Sequence, residues 1–171
     1  METEEEFKTA ADGCRAAFVG LAECDGLFTY KANDISKMLV RLRRAEERKS
    51  NINAVSAILA ELINTCVMKL MELSAGKDKI ASAPANSLVK RYDNCMKQCL
   101  ELMEKKNHDY DEAWRLMRPT SYTDLMLVKA ARINQIEQLG GQLLVSEGID
   151  SNYFDIINYA VFYLIRNAES Q

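Results

Sequence analysis

The chain has 171 residues, with 22 lysines and arginines against 25 aspartates and glutamates, and a formal net charge of −3. Both signs are mixed along the chain, so no basic field favours nucleic acid or an anionic membrane as a partner. The apolar run Tyr159–Ile165 is far shorter than the roughly 20 residues of a membrane-spanning helix, and the acidic start lacks a signal peptide, which predicts a soluble cytoplasmic protein.

The first half of the chain shows three stripes of apolar residues at helical spacing, and each stripe predicts an amphipathic helix. The stripes are Phe7, Ala10, Cys14, Ala17, Phe18 and Leu21; then Ile35, Met38, Leu39, Leu42 and Ala45; then Val55, Ile58, Leu59, Leu62, Cys66 and Leu70. The five cysteines are odd in number and lack a CxxC spacing, which predicts reduced thiols rather than disulfides or a zinc site.

A segment rich in small residues, 74–87, follows and is predicted to be a linker. Three further stripes predict three more helices: Leu88, Tyr92, Cys95, Cys99 and Leu102; then Leu125, Val128, Ala131, Arg132 and Ile136; then Tyr153, Ile156, Ile157, Ala160 and Leu164. Ser121 or Thr123 is predicted to cap the middle one of these helices. Gly148 is predicted to mark the start of the last.

The two halves also resemble each other, because the helical segment Glu61–Leu70 returns as Asp155–Leu164 with its acid, Ile, Asn, Val and Leu in step. Such an internal repeat indicates two copies of one supersecondary unit. We therefore predict an all-α, six-helix bundle built from two pseudo-repeated three-helix units. A degenerate repeat at 1–73, the linker 74–87 and a motif-bearing repeat at 88–171 would pack as a single domain.

Oxygen donors occur together in the second half. Asp155 and Asn158 share one face of the last helix, and Glu147 lies earlier in the chain, at the entry to that helix. Carboxylate and amide oxygens are the ligands that Mg²⁺ prefers, so these residues form a candidate metal site. The alternative is a solvated helix face, with Asn158 as an interhelical hydrogen bond.

Two cations three residues apart, Lys129 and Arg132, lie on one side of another predicted helix. A guanidinium can grip phosphate oxygens with two parallel bonds, and a lysine adds a point charge. These residues are therefore candidate phosphate ligands. The alternative is a salt bridge to Asp155 or Glu147, which we expect more of the arginine than of the lysine because Arg41 matches it in the first half.

The segment after the fourth predicted helix contains Asp109, Tyr110 and Trp114, which together can supply a hydrogen-bond acceptor and a stacking surface for a base. A tryptophan at such a position is more often part of the core. The single histidine, His108, is expected to interact with the helix dipole rather than to act in catalysis.

These motifs resemble the nucleotide modification associated domain 1 family, whose bacterial members often carry two tandem copies. The resemblance rests on five short motifs in order: Lys106-x-x-Asp109-Tyr110 with Glu112-Ala113-Trp114-Arg115, Ser121-Tyr122-Thr123-Asp124, Lys129-x-x-Arg132-Ile133, Glu147-Gly148-Ile149, and Asp155-x-x-Asn158-Tyr159. It covers residues 95–167 well and residues 7–73 faintly.

The same order of motifs looks like the all-α MazG-like nucleoside triphosphate pyrophosphohydrolases. That resemblance implies a magnesium site made by Glu147, Asp155 and Asp109, with Asn158 as an amide ligand or supporting group. It implies substrate binding by a further set: Lys106, Tyr110, Trp114, Lys129, Arg132 and Tyr159. The chain departs from the MazG-like pattern in one respect, since no ExxD follows Glu101-x-x-Glu104 at a suitable spacing.

The sequence thus predicts a Mg²⁺-dependent protein that binds a nucleotide or nucleoside triphosphate-like molecule, or that acts as a pyrophosphohydrolase. The alternative is a non-enzymatic helical scaffold that binds another protein. The acidic balance disfavours nucleic acid as a partner, and self-association into a homo-oligomer is compatible with the sequence.

Overall fold

The computed structural model describes residues 2–140 and 148–171, and the described residues contain α-helices, one 3₁₀ turn and no strands. The helices are α1 (Glu2–Glu23), α2 (Phe28–Ala32), α3 (Ile35–Glu47), α4 (Ile52–Ala75), α5 (Lys77–Ser82), α6 (Ala85–Tyr110), α7 (Pro119–Gln138) and α8 (Ile149–Glu169), with the 3₁₀ turn at Ala113–Leu116. The all-α class is confirmed. The described residues form eight helices rather than six, because two short helices accompany the six long ones.

Capping residues fix where several helices begin and end. The Asp34 and Asn51 side chains accept hydrogen bonds from backbone amides in the first turns of α3 and α4. Gly76 ends α4 with a φ of 90°, a conformation that favours glycine. The predicted linker 74–87 contains helix α5, whose Ile80 is buried in the core.

The six long helices pack in three layers, with α4 and α8 as the central pair. Helices α1 and α6 contact each other and both central helices, while α3 packs on α4 and α7 packs on α8. The central position of α8 explains why residues on most of its sides are buried. Its polar residues must therefore find partners inside the protein.

The helix α4 is long and apolar enough to cross a membrane by length and composition alone, and 67% of its most apolar window is buried inside the bundle. A core helix has the same properties, because it too is apolar on most of its faces. The described residues contain no other helix that meets these criteria.

Two predictions about α7 were wrong. The helix begins at Pro119, directly after Arg118, so Ser121 and Thr123 lie within the helix and do not cap it. Most of the predicted buried stripe was also misassigned: Ile136 is buried as predicted, but Val128 is 65% exposed. The inward face comprises Tyr122, Thr123, Met126, Ala130, Ile133 and Ile136.

Candidate functional site

A cavity of about 480 Å³ lies between α6, the 3₁₀ turn, α7 and α8, and we call it the α6–α8 cavity. Its lining combines charged, aromatic and apolar side chains: Met103, Lys106, Asn107, Tyr110, Ala113, Trp114, Met117, Leu125, Lys129, Asp155, Asn158, Tyr159 and Phe162. The volume is in the range of small-molecule sites in proteins.

Seven of the ten residues proposed from the sequence line this cavity: Lys106, Tyr110, Trp114, Lys129, Asp155, Asn158 and Tyr159. Helical spacing explains the grouping, because side chains three or four positions apart lie on one face. Lys106 and Tyr110 share a face of α6 in this way, and Asp155 shares one of α8 with Asn158 and Tyr159. The packing of α7 on α8 then brings Lys129 to the same place.

Asp155 is the centre of the charged side of the cavity. Its carboxylate oxygen Oδ1 lies 2.5 Å from Lys106 Nζ, and its Oδ2 lies 2.9 Å from Lys129 Nζ. The Asp155 side chain is only 11% exposed, so the two ammonium groups offset the cost of burying its charge. Two cations against one anion leave these three side chains with a net charge of +1.

The aromatic side of the cavity is built around Trp114, which is buried. The Phe162 ring stacks on the Trp114 ring with centroids 4.4 Å apart, and the Arg115 guanidinium carbon also lies 4.4 Å from the Trp114 centroid. Because two groups already cover the Trp114 ring, the rings with more free surface for a base are those of Tyr159, half-buried, and Tyr110, 71% exposed.

The 3₁₀ turn that carries Trp114 is anchored through Arg115, for which the sequence suggested no role. The Arg115 guanidinium binds Glu6 of α1 at 2.5 Å, Glu112 at 2.9 Å and Glu169 of α8 at 3.3 Å. Its hydrogen bonds to Glu6 and Glu112 hold the Arg115 pKa above its usual value. The two ends of the described chain thus fix one wall of the cavity.

Two residues in the left-handed backbone region precede this turn, Asp111 with φ 48° and Glu112 with φ 53°. Such conformations are uncommon for residues other than glycine and need compensating contacts. Glu112 has them, because Thr3 Oγ1 and the Arg115 guanidinium both donate hydrogen bonds to its carboxylate. These same bonds lower the Glu112 pKa, with the Thr3 hydroxyl as the largest cause.

Asn158 is buried beside the cavity, where its amide Nδ2 donates a hydrogen bond to the Cys99 carbonyl at 3.2 Å. Its Oδ1 has no hydrogen-bond partner among the described residues, and the same is true of Trp114 Nε1. Unpartnered buried polar atoms are costly, so native structures contain few of them. Two such atoms, Trp114 Nε1 and Asn158 Oδ1, therefore lie on residues that line this one cavity.

Three of the proposed residues do not join the described lining of the cavity. The Asp109 side chain is 70% exposed and lies 3.2 Å from His108. Arg132 donates from Nη1 to Gln135 Oε1 at 2.8 Å on the outer part of α7. Glu147 lies outside the described residues.

The described residues do not fit a Mg²⁺ site. They contain no group of three His, Cys, Asp or Glu side chains that could hold a metal ion. Both carboxylate oxygens of Asp155 face lysine ammonium groups, and Asp109 does not line the cavity. The predicted ligand set of Asp109, Glu147, Asp155 and Asn158 therefore depends on Glu147 and stays a prediction.

Comparison with protein families gives one match in this region: residues 106–166 match the family model described as nucleotide modification associated domain 1. Searches of the curated proteins and of the solved structures gave no match. The comparisons do not show the likeness to MazG-like enzymes, which stays a prediction. The matched segment contains every described lining residue of the α6–α8 cavity except Met103, and it supports the nucleotide modification associated domain 1 family for this part of the chain.

Proposed function

We propose that the protein binds a nucleotide in the α6–α8 cavity. The observation that carries the proposal is the juxtaposition, in one cavity, of two lysines held on a shared carboxylate and of tyrosine rings. This combination lies in the segment that matches a nucleotide modification associated family.

The charged side of the cavity suits a phosphate group. A lysine ammonium carries a full positive charge and three donor hydrogens, which suits Lys106 and Lys129 to bind phosphate oxygens. Asp155 limits the conformations of both side chains, which lowers the entropy lost when they grip a ligand. Lys106 is also half exposed, as a ligand that enters from solvent requires.

The aromatic side suits a nucleobase. Tyr159 and Tyr110 line the cavity four residues beyond Asp155 and Lys106 respectively, so each ring follows a charged residue on the same helix face. Stacking of a base on an aromatic ring contributes about 1–3 kcal/mol in proteins that bind single-stranded nucleic acids. We assign the base to these tyrosines rather than to Trp114, whose ring is already covered.

We also propose that the chain is a duplication in which the first half has lost the site. The order of a long helix, a short helical segment and two long helices occurs on both sides of α5. The counterpart of Asn158 is Asn64, which hydrogen-bonds both Tyr30 and Tyr92. Leu21 and Met38 stand where the second half has Lys106 and Lys129, so the first half lacks both cations.

Cleavage of a triphosphate, the activity of the MazG-like group, requires a group that activates water. The described lining offers one carboxylate, Asp155, and two lysines already bind it. We therefore propose binding as the function and treat Mg²⁺-dependent release of pyrophosphate as a separate measurement on the same protein.

The experiment is isothermal titration of the purified chain with nucleoside mono-, di- and triphosphates, with and without Mg²⁺. The variants Lys129→Met and Lys106→Leu introduce the residues of the first half, and Lys97→Leu removes an exposed lysine on α6 outside this cavity as the control. A charged hydrogen bond contributes roughly 1.5–3 kcal/mol, so each cavity variant should weaken binding by about tenfold or more. The control should bind like the wild type.

Absence of binding across the whole panel, with a folded protein, would contradict the proposal and favour the protein-binding scaffold. Equal affinities of the cavity variants and the wild type would contradict the location of the site. Circular dichroism and the melting temperature establish that each variant is folded.

A further inference from the structure

We infer that the protein has a second small-molecule site, in a cavity that both halves of the chain build, and that this site takes an α-amino acid with an apolar side chain. The cavity has a volume of about 410 Å³ and lies between the α2–α3 connection, α4, α7 and the start of α8. We call it the α4–α7 cavity. Its described lining shares no residue with that of the α6–α8 cavity, so the inference does not depend on the proposed function.

The charged side chains of the α4–α7 cavity balance one another in number: Lys31, Lys69, Lys77, Asp34, Glu72 and Glu137. None of these six forms an ion pair within the part of the chain that the structure describes. In the α6–α8 cavity, by contrast, the charged lining residues bind one another. Lys31, Lys69 and Glu72 are half-buried, and a charge taken out of water without a counter-ion is unfavourable. A ligand with charges of both signs would supply the missing partners.

The basic end of the cavity lies where α2 ends. Lys69 of α4 donates from Nζ to the Lys31 carbonyl at 3.2 Å, which places its ammonium group beside the last turn of α2. The first turn of α3 also lines the cavity, and a helix N-terminus carries a partial positive charge. The Asp34 carboxylate is engaged there, because it accepts a hydrogen bond from the Lys37 amide and caps α3. This end therefore suits a carboxylate.

The acidic end lies one turn further along α4, at Glu72, together with Glu137 of α7 and Tyr153 of α8. Tyr153 is only 5% exposed, and its hydroxyl has no hydrogen-bond partner among the described residues. Burial raises the Tyr153 pKa, and the negative charges of Glu137 and Glu72 raise it further, so the hydroxyl lies close to both carboxylates. Two carboxylates and a hydroxyl oxygen can accept the three hydrogens of an ammonium group.

The spacing of the two ends determines how far apart the charges of the ligand lie. Lys69 and Glu72 are three residues apart on α4, and such neighbours have Cβ atoms about 5–6 Å apart. The carboxylate and the ammonium group of the ligand must therefore be close together, as they are on the single α-carbon of an amino acid. The apolar part of the lining favours an apolar side chain on that carbon, and it comprises Ala32, Ile35, Leu73, Ala130 and Ile133.

The test is isothermal titration of the purified full chain, without nucleotide, with each of the common amino acids. For every amino acid that binds, two analogues are titrated as well: the amine that lacks its carboxylate and the acid that lacks its ammonium group. For leucine these are 3-methylbutylamine and 4-methylpentanoate. We expect saturable binding of at least one apolar amino acid. Both of its analogues should bind weaker by about tenfold or more, because each loses the charged hydrogen bonds of one end.

Two variants test the location of the site. Glu72→Gln should weaken amino-acid binding by about tenfold or more and leave the binding of the acid analogue unchanged. Tyr153→Phe keeps the buried ring and should weaken amino-acid binding several-fold. Glu104→Gln changes an exposed glutamate of α6 outside this cavity and is the matched control, which should bind like the wild type. The melting temperature establishes that each variant is folded.

If no amino acid binds to the folded wild type, the inference is overturned. It is also overturned if an amine binds as tightly as its amino acid, because the basic end would then play no part. Equal affinities of both cavity variants and the wild type would contradict the location of the site. None of these outcomes bears on nucleotide binding in the α6–α8 cavity, so the two proposals fail separately.

Discussion

Asn64 on α4 and Asn158 on α8 make the same hydrogen bond in the two halves of the chain. The Asn64 amide donates to the Cys14 carbonyl at 2.9 Å, and the Asn158 amide donates to the Cys99 carbonyl at 3.2 Å. Their side-chain oxygens differ, because Asn64 Oδ1 accepts from the Tyr92 hydroxyl at 2.8 Å while Asn158 Oδ1 has no partner in the described part of the chain.

This difference predicts unequal effects of the same substitution. Asn64→Leu removes the partner of two tyrosine hydroxyls and of a buried carbonyl, and each buried group left unpaired costs about 1–3 kcal/mol. Asn158→Leu removes one hydrogen bond to the Cys99 carbonyl, which keeps its hydrogen bond within α6, and it removes an unpartnered oxygen. We expect a loss of several kcal/mol for Asn64→Leu and about 1 kcal/mol or less for Asn158→Leu, measured by urea unfolding. Equal losses would contradict the asymmetry.

The cysteines provide a second prediction, about thiol reactivity. Cys24 is exposed, whereas Cys14, Cys66, Cys95 and Cys99 are buried. Burial raises the pKa of Cys14 to about 12, so this thiol is almost entirely protonated at pH 8 and reacts slowly. An aromatic disulfide reagent should modify one thiol quickly in the native protein and all five in denaturant. Cys24→Ser should abolish the fast phase of the reaction. If several thiols of the native wild type reacted fast, the burial of the other four cysteines would be contradicted.

The fold could be predicted from the sequence where apolar residues occupy one face of a helix. This condition holds for α3, where Met38, Leu39 and Leu42 are buried as expected. It fails for α7, which has apolar residues on several sides. The spacing of the apolar residues predicted that the face with Val128 is buried. Packing against α8 and α3 instead buries the face with Tyr122, Met126 and Ala130.

Part of the candidate site could also be read from the sequence, because residues three or four apart on one helix share a face. Asp155 and Asn158 are such a pair, and they do line one cavity. The sequence could not show that Asp155 would bind Lys106, 49 positions away. Nor could it show the role of Arg115, whose partners come from both ends of the chain.

Tyr122 gives a prediction for alkaline pH. Its buried hydroxyl donates to the Trp114 carbonyl, and burial raises its pKa to about 12. Between pH 10 and 12 the unfolded chain has released this proton and the folded one has not, so the free energy of unfolding falls as pH rises. The stability that the protonated Tyr122 hydroxyl contributes is fully present below pH 10. Above pH 10 the free energy of unfolding falls by up to about 1.4 kcal/mol per pH unit from this group.

Tyr122→Phe should therefore be less stable than the wild type at pH 7, by about 1 kcal/mol for the lost hydrogen bond. The difference in the free energy of unfolding between Tyr122→Phe and the wild type should shrink as the pH rises from 10 towards 12. Urea unfolding of both proteins at pH 7, 9.5 and 10.5 measures this difference. Parallel pH profiles for the two proteins would show that Tyr122 does not titrate as its burial requires.

Arg115→Met tests the anchoring of the 3₁₀ turn. The variant leaves Glu6, Glu112 and Glu169 without their shared cation, so we expect a loss of about 1–3 kcal/mol in the free energy of unfolding. Trp114 is the only tryptophan in the chain, and its emission should shift to longer wavelength if the turn loosens.

The matched control is Arg41→Met, which removes an arginine from a more exposed pair with Glu61. Surface pairs of this kind contribute about 0–1 kcal/mol. An Arg115→Met protein with the stability and the tryptophan emission of the wild type would contradict the anchoring role.

The central claim, that the α6–α8 cavity binds a nucleotide, is tested most directly by the single indole N–H signal of Trp114 in a ¹⁵N–¹H correlation spectrum. Trp114 lines the cavity, so a nucleoside monophosphate that binds there should shift this signal in a saturable manner, and Lys129→Met should weaken the response about tenfold. If the Trp114 indole signal stays fixed when the ligand is added, the claim is contradicted, whether or not other signals of the protein move.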